Sequence, residues 1–385
     1  MFKVCIVTTV SMTLKAFVLD LAKAMARTGD FELHFVCDHD DDFALMLPEY
    51  IHYHPISMKR GISLGGFKAA VEMYKLFKGE KFDLVQYSTP NAACYASFAA
   101  KLAGVKARLY CQWGIAYVGF YGLKRSVFKI MEKMICHNST MIEPDSFGNL
   151  KFCRQEKIYT TEKSKVIWNG SASGVSFEKF DISRREKWFD EIRDKYCIPK
   201  NAKVFIFIGR ITRDKGVNEL FEASQKILRK YNDAYLLMVG NVEKNDSISD
   251  ELFGWAQNEP RVIFAGFTSE VEKYIAASDV YVLPSYREGF GSAVIEAEAM
   301  GVPVIVTNIP GPTDAMKEEV TGFLVKKGSV FELYNAMEKL YCSEELRSEM
   351  GKNAFEFALK GFEQKALFEK IIDDRTKIIE KSLSK

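Results

Sequence analysis

The sequence has no pair of cysteines at metal-binding or redox spacing. Its eight cysteines, Cys5, Cys37, Cys94, Cys111, Cys136, Cys153, Cys197 and Cys342, are scattered, several of them inside apolar runs. That spacing indicates neither a disulfide framework nor a zinc site, and a reducing cytoplasm is the expected compartment. No apolar stretch reaches the roughly 18 residues of a membrane span. The opening Met-Phe-Lys-Val-Cys-Ile-Val-Thr-Thr-Val lacks the charged region, long apolar stretch and cleavage site of a secretory leader, and reads as a buried strand. No Gly-x-Gly-x-x-Gly follows any predicted strand, which argues against a nicotinamide-dependent dehydrogenase. No segment interleaves basic and aromatic residues as a nucleic-acid module does, and net charge is only +2, so nucleic acid is not an expected partner.

What is present is a repeated strand and helix pattern, the signature of parallel α/β architecture. Val4–Val10 is a continuous apolar, β-branched run. Leu14, Phe17, Val18, Leu21, Ala22 and Met25 follow at the spacing of one helical face. Further strands are predicted at Phe31–Cys37, Leu84–Tyr87, Ala107–Gln112, Lys165–Trp168, Val204–Gly209, Ala234–Gly240, Val262–Phe267, Val280–Pro284 and Val302–Thr307. Runs of this kind are buried on both faces, as parallel strands under helices are. The small, polar stretch within Asn169–Phe180 marks a seam and a hinge. Two doubly wound domains are expected, 1–170 and 171–362, with a helix over 363–385 packing back on the first. Charge divides unevenly between them. Residues 1–175 hold 22 Lys and Arg against 16 Asp and Glu, and the remainder 31 against 35, so the first half is the one expected to meet something anionic.

Two motifs in the second half carry chemistry. Gly209-Arg210-Ile211-Thr212-Arg213-Asp214-Lys215-Gly216 follows the strand Val204–Ile208 directly. In doubly wound sheets ligands bind at the carboxyl ends of strands. There Arg210 offers a planar fork and Lys215 a compact point charge, a pair suited to a diphosphate. Glu288-Gly289-Phe290-Gly291-Ser292-Ala293-Val294-Ile295-Glu296 likewise follows a strand. Its glycines allow close backbone approach, Ser292 is the expected cap for the next helix, and the helix start presents free N–H groups to anions or sugar hydroxyls. Glu288 lies in the loop and Glu296 about one turn inside the helix, so the two carboxylates can accept hydrogen bonds from different parts of one ligand.

With these motifs the chain resembles the family-4 retaining glycosyltransferases of the B-type fold, two Rossmann-like domains facing across a cleft. The likeness covers nearly the whole chain and is strongest over about 204–325. Thr268–Asp279, Gly301-Val302-Pro303-Val304-Ile305, Gly311-Pro312 and Thr321-Gly322-Phe323-Leu324-Val325 read as in that family. The resemblance implies that Arg210 and Lys215 bind the donor diphosphate. It implies that Glu288 with Gly289, Phe290, Gly291 and Ser292 contacts the donor sugar, that Glu296 holds the ribose hydroxyls, and that the base lies against Gly266 and Phe267. It implies retention of anomeric configuration without a metal or other cofactor, the nucleotide sugar being a substrate. No side chain stands out as general base.

In the first half Gly122-Leu123-Lys124-Arg125, the helix to Ile135 and Asn169-Gly170-Ser171 resemble the bacterial capsule and O-antigen branch. That branch implies a UDP-sugar donor of hexose or N-acetylhexosamine and a saccharide or lipid-linked acceptor, at the inner face of the cell membrane. The alternatives are a GDP-mannose-dependent mannosyltransferase and a non-catalytic sugar-nucleotide binder. The first half departs from the family at Thr9-Val10-Ser11-Met12, where many members have Gly-Gly, and at Gln112-Trp113-Gly114, where many have His-Gly. Three features remain. Asp38-His39-Asp40-Asp41-Asp42 has metal-ligand spacing but reads as a solvated loop. His52 and His54 alternate with Tyr53 on one face of an extended segment. Val127, Ile130, Met131, Met134 and Ile135 form a helical stripe beside Lys124, Arg125, Lys129 and Lys133, a basic amphipathic element that suits either a core-facing helix or an anionic membrane surface.

Overall fold

The computed structural model describes residues 1–58, 64–243 and 248–384. The chain forms two compact units, Met1–Ser173 with Lys365–Lys385, and Gly174–Gln364. Unit 1 contains strands β1 (Phe2–Val7), β2 (Phe31–Cys37), β3 (Ile51–Pro55), β4 (Leu84–Tyr87), β5 (Ala107–Gln112) and β6 (Met141–Pro144). Its helices are α1 (Ser11–Phe17), α2 (Leu19–Arg27), α3 (Asp41–Met46), α4 (Leu64–Glu80), α5 (Pro90–Leu102), α6 (Gly122–Asn138) and α7 (Phe147–Gln155). Unit 2 contains β7 (Lys203–Ile208), β8 (Ala234–Val239), β9 (Val262–Gly266), β10 (Val280–Leu283), β11 (Val304–Thr307) and β12 (Gly322–Val325). Helices α8 (Arg185–Lys195), α9 (Val217–Lys230), α10 (Asp250–Asn258), α11 (Val271–Ala276), α12 (Ser292–Ala299), α13 (Val330–Cys342) and α14 (Glu344–Phe362) surround it, and α15 (Gln364–Leu383) follows.

The sheet orders are β3-β2-β1-β4-β5-β6 and β12-β11-β10-β7-β8-β9, with every pairing parallel. Counted from each unit's first strand the two orders are the same, so both sheets are doubly wound. Each reverses direction between its first and fourth strands. In unit 1 that point lies between β1 and β4, in unit 2 between β7 and β10.

Alternation along the strands divides the core. In β1, Val4 and Ile6 face one layer with Leu33, Phe35, Leu84 and Leu109. Cys5 and Val7 face the other with Val36, Val85, Tyr87 and Tyr110. The second layer is closed by α4 to α7. The first is closed by α1, α2 and, from the far end of the chain, by Leu367, Phe368, Ile371 and Ile379 of α15. In unit 2 the amphipathic α9 buries Val217, Leu220, Phe221, Ser224, Ile227 and Leu228 at helical spacing. Ser146, Ser249, Ser329 and Ser343 cap α7, α10, α13 and α14 through their hydroxyls.

A buried charge cluster ties α15 to the sheet. Arg375 grips Glu143 of β6 with both terminal nitrogens, one of them at 3.0 Å, and its Nε donates to Gln86 Oε1 of β4 at 2.9 Å. Asp374 beside it pairs with Lys165.

Three sequence expectations change. The stripe from Leu14 to Met25 is not one helix. Val18 leaves helical geometry at φ −121°, splitting it into α1 and α2, although the Ala22 amide still reaches the Val18 carbonyl at 2.8 Å. Lys165–Trp168 is not a strand. Among the described residues a single bridge, Ile142 to Ser164, extends beyond β6, and Trp168 turns the chain at φ +49°. The stripe on α6 divides. Met131 and Ile135 are buried, while Val127, Ile130 and Met134 are exposed.

Candidate functional site

The two motifs of unit 2 lie about 70 residues apart in sequence, yet they leave adjacent strands. β7 and β10 pair at Ile206 and Tyr281, so the loops after them emerge side by side at the switch point. The loops touch backbone to backbone. The Tyr286 amide donates to the Asp214 carbonyl at 2.8 Å. Gly216, at φ +74°, passes so close to β10's end that a Cβ there would stand 2.0 Å from the Pro284 carbonyl oxygen. Only glycine fits both the approach and the left-handed conformation.

This contact joins the side chains. Lys215 Nζ lies 2.6 Å from Glu288 Oε1, and the Ser285 hydroxyl donates to the same oxygen at 2.6 Å. Both partners are largely buried, 18% and 11% exposed. An ammonium has three N–H donors, so Lys215 held by Glu288 retains capacity for a second anionic group. Asp214 gathers further cations. It accepts from the Thr212 hydroxyl at 2.6 Å, pairs with Arg287 at 2.8 Å, and has Arg210 at 3.8 Å. Burial pushes its carboxyl up, but the Thr212 hydroxyl and the charges of Arg287, Arg210 and Lys215 hold it below the ordinary value. Arg210 is half exposed, and its other nitrogen pairs with Glu243 at 2.9 Å. Arg210 and Lys215 therefore share the neighbourhood of Asp214 but are turned to different carboxylates.

The loop after β10 leads into α12. Gly291, in left-handed conformation at φ +90°, is the N-cap and brings no side-chain cap bond, and Ser292 is the first helical residue. That corrects the expected role of Ser292, since a residue with helical φ and ψ cannot aim its hydroxyl back at the second and third amides. Phe290 is buried against Phe362, with ring centroids 5.4 Å apart, so its side chain anchors the loop and the loop presents Gly289 and Gly291 as backbone. Glu296 sits one turn into α12, partly exposed. Burial pushes its carboxyl up to about 7, with Lys179 pulling down and Glu272 pushing up. Glu288 and Glu296 both act on the phenol of Tyr281 in β10, which burial holds in its neutral form, and that hydroxyl has no hydrogen-bond partner among the described residues.

Gly266 ends β9, and its carbonyl accepts from the Gly240 amide at 2.8 Å. Phe267 beyond it is 67% exposed, an open ring face two strands from β7, roughly 10 Å away along the sheet. The switch point thus brings together Lys215, Glu288, Arg210 and the glycine loop, with Glu296 in the helix behind them and Phe267 to one side. Ser285, Arg287 and Tyr281 belong to the same cluster and were not singled out from the sequence. Arg287 had a signal, its position beside Glu288.

In unit 1 the corresponding edge is differently built. Thr9 and Thr89 bridge β1 and β4 through their hydroxyls at 2.7 Å. Gln112 is fully buried, donating to Glu132 and accepting from the Tyr159 hydroxyl at 3.0 Å, so its amide is committed inward. Glu132, also held by Tyr110, is pushed up to about 7 by burial. In the acidic loop, Asp38 accepts from the Met58 amide, and Asp40 caps α3 while accepting from Ser11. Two of its carboxylates are thereby committed to local hydrogen bonds. His52 and His54 lie on β3, stacked against His34 of β2.

Residues 189–357 match the model of the family "Glycosyl transferases group 1", and residues 3–146 match "Glycosyl transferase 4-like". The capsular polysaccharide biosynthesis glycosyltransferase CapM of Staphylococcus aureus is 31% identical over 329 residues, 83% of each chain. A UDP-Gal:alpha-D-GlcNAc-diphosphoundecaprenol alpha-1,3-galactosyltransferase of Escherichia coli is 26% identical over 89% of this chain and 88% of its own. Among solved structures, Anabaena Alr3699/HepE in complex with UDP and glucose superposes with a TM-score of 0.81 at 18% identity, covering 98% of this chain and all of that one, a likeness of fold. Taken with the switch-point site, these matches place the chain in the group 1 glycosyl transferases, as a glycosyltransferase of the B-type fold.

Proposed function

We propose that this glycosyltransferase moves a hexose or N-acetylhexosamine, with retention and without a metal, from a UDP-sugar to a saccharide or lipid-linked acceptor of bacterial surface polysaccharide. The observation that carries the reading is the meeting of Lys215 and Glu288 at 2.6 Å at the switch point, with Arg210 and Arg287 around Asp214 beside them. In transfer, the bond from the anomeric carbon to the diphosphate oxygen breaks as the acceptor oxygen bonds to that carbon. Negative charge builds on the leaving diphosphate while the sugar becomes cation-like. Lys215 and Arg210, with Arg287 and the first amides of α12, are fixed donors for that charge, and a leaving phosphate oxygen takes the acceptor's proton. Glu288 and the Gly289–Ser292 backbone orient the sugar, Glu296 accepts from the ribose hydroxyls, and the base lies on Gly266 and Phe267.

Uridine is supported by the bound UDP of the Anabaena neighbour, and a polysaccharide product by the capsular relative. Among the described residues no helix is long and apolar enough to cross a membrane. The exposed Leu123, Val127, Ile130 and Met134 of α6, beside Lys124, Arg125 and Lys133, suit peripheral contact with the inner face of the cell membrane from unit 1.

Nucleotide release across UDP-, GDP- and ADP-sugars, with and without membrane lipid extract, tests this. One donor should give turnover that rises with extract, persists in EDTA and falls on the order of 10²–10³-fold in Lys215→Ala and Glu288→Ala. A donor that binds and protects against unfolding, yet never turns over with any extract, would mark a binder instead. Absence of binding by every donor would remove the diphosphate role of Arg210 and Lys215.

A further inference from the structure

Between α4 and α5 of unit 1 runs an open groove of about 650 Å³, walled by Phe67, Val71 and Tyr74 of α4 and by Tyr95, Phe98 and Leu102 of α5. Phe67 is 77% and Leu102 73% exposed, and a monomeric surface seldom leaves such an apolar cluster open without a use. Both helices follow strands of one parallel sheet and return from its carboxyl edge to its amino edge, so they run side by side in the same direction. The Tyr95 hydroxyl packs over Gly66, where an added Cβ would stand 2.2 Å from it, which fixes that alignment. The Gly66 and Tyr95 end of the groove is therefore the end at the carboxyl edge, where ligands of doubly wound sheets bind. From Phe67 to Tyr74 the groove extends roughly 10 Å along α4.

We infer that this groove holds the hydrocarbon chain of a lipid-linked acceptor, with the phosphate that ends the chain directed to the carboxyl edge of the unit 1 sheet. The assignment rests on the acceptor class proposed above and names the surface that recognises it. The lining favours this occupant over others. An extended peptide laid in the groove would turn its backbone N–H and C=O groups against apolar walls, whereas a hydrocarbon chain has no polar groups to satisfy. A second copy of the chain would set like charges against each other. Helices α4, α5 and α6 carry eight Lys and Arg against three Glu, and one of those three, Glu132, is buried. The exposed Lys75 adjoins the lining Tyr74 in sequence, Lys68 adjoins Phe67 while pairing with Glu72 at 3.8 Å, and Lys101 adjoins Leu102 while donating to Asn138 at 3.1 Å. Apolar walls under a basic rim complement a long chain that ends in an anionic phosphate, in a membrane of anionic lipids.

The test is partition of the full-length protein onto phosphatidylcholine vesicles doped with undecaprenyl phosphate, compared with vesicles given the same charge by phosphatidylglycerol. Wild type should partition at least about tenfold more strongly onto the prenyl-phosphate vesicles, a factor worth 1.4 kcal/mol. Phe67→Asp, which charges a largely exposed position, and Ala70→Trp, which fills the groove, should each abolish that preference while UDP binding stays at the wild-type level. Equal partition of wild type onto the two vesicles overturns the proposal, because charge alone then accounts for binding. An undiminished preference in both variants overturns it too. Failure of the glycosyltransferase reading would appear separately, as wild type that does not bind UDP.

Discussion

Glu296 and Glu298 stand two residues apart in α12, and burial pushes both carboxyls up, the first to about 7 and the second well beyond its ordinary value. Their surroundings assign them different consequences. Glu296 is partly exposed at the site. An ionised carboxylate accepts from two neighbouring hydroxyls, and a protonated one must spend an oxygen as donor. UDP affinity should therefore weaken as pH falls from about 8, approaching tenfold per unit below 7, and Glu296→Gln should bind weakly with only the shallower dependence that UDP's own terminal phosphate, titrating near pH 6, imposes. Calorimetric titration of UDP from pH 6 to 8 decides this, and a parallel pH profile in the Gln variant would remove Glu296 from the ribose. Glu298 is fully buried, with both oxygens lacking a well-formed hydrogen bond, and the Thr321 hydroxyl does not offset that burial. Its folded value lies above the unfolded one of about 4.3. Stability is thus fully present below that unfolded value and is lost as pH rises toward the folded value. Glu298→Gln should leave the melting temperature unchanged near pH 4 and raise it at pH 8. A Gln variant destabilised at pH 8 would mean that the carboxylate has an ionic role. The sequence exposed Lys215, Glu288 and Glu296 because each follows a strand end at a spacing that chemistry requires. Tyr281 and Glu298 carry no such signal, since their importance comes from burial, which one chain's pattern does not report.

At the scale of elements, α15 shows how a helix is held by more than its apolar stripe. Arg375 is 2% exposed, and its fork joins Glu143 on β6 and Gln86 on β4. A buried pair is only weakly stabilising compared with an apolar pair of the same shape, but losing one partner strands the other. Arg375→Ala should destabilise unit 1 by about 3–5 kcal/mol. Arg375→Met combined with Glu143→Leu should recover most of that loss. Denaturant unfolding of the two variants separates the cases, and a double variant as unstable as the single would mean that the network itself is required. The stripe Phe368, Ile371, Ile372 and Ile379 announced α15 in the sequence, whereas its charged anchor did not. The strands divide in the same way. Central strands such as β4 and β5 are buried almost throughout and mostly apolar, broken only by Gln86, Arg108 and Gln112, and their bounds were legible to the residue. β3 and β6 lie at the sheet's two edges, where alternation with polar residues, as in His52-Tyr53-His54, weakens the pattern. The apolar Lys165–Trp168 resembled a strand, but Ile167 and Trp168 are only partly buried against the unit 1 core without a strand partner.

At the scale of the molecule, each unit has its own six-stranded sheet and its own core, and the chain passes between units twice, at Ser173–Gly174 and at Gln364–Lys365. Every residue given a donor-binding role, from Arg210 to Glu296, lies in unit 2. The lipid groove and α6 lie in unit 1, in the half where basic residues outnumber acidic ones. Donor and membrane lipid should accordingly stabilise different parts of one chain. A ligand that binds only the native form stabilises it by about 2.7 kcal/mol at a hundred times its dissociation constant. Scanning calorimetry should resolve two transitions, one of which moves upward with UDP while the other stays in place. Arg375→Ala should lower the one that UDP leaves unmoved, because α15 completes unit 1. If UDP and Arg375→Ala instead shift the same transition, the two units unfold as one cooperative block, and donor binding in unit 2 would then be coupled energetically to the acceptor side.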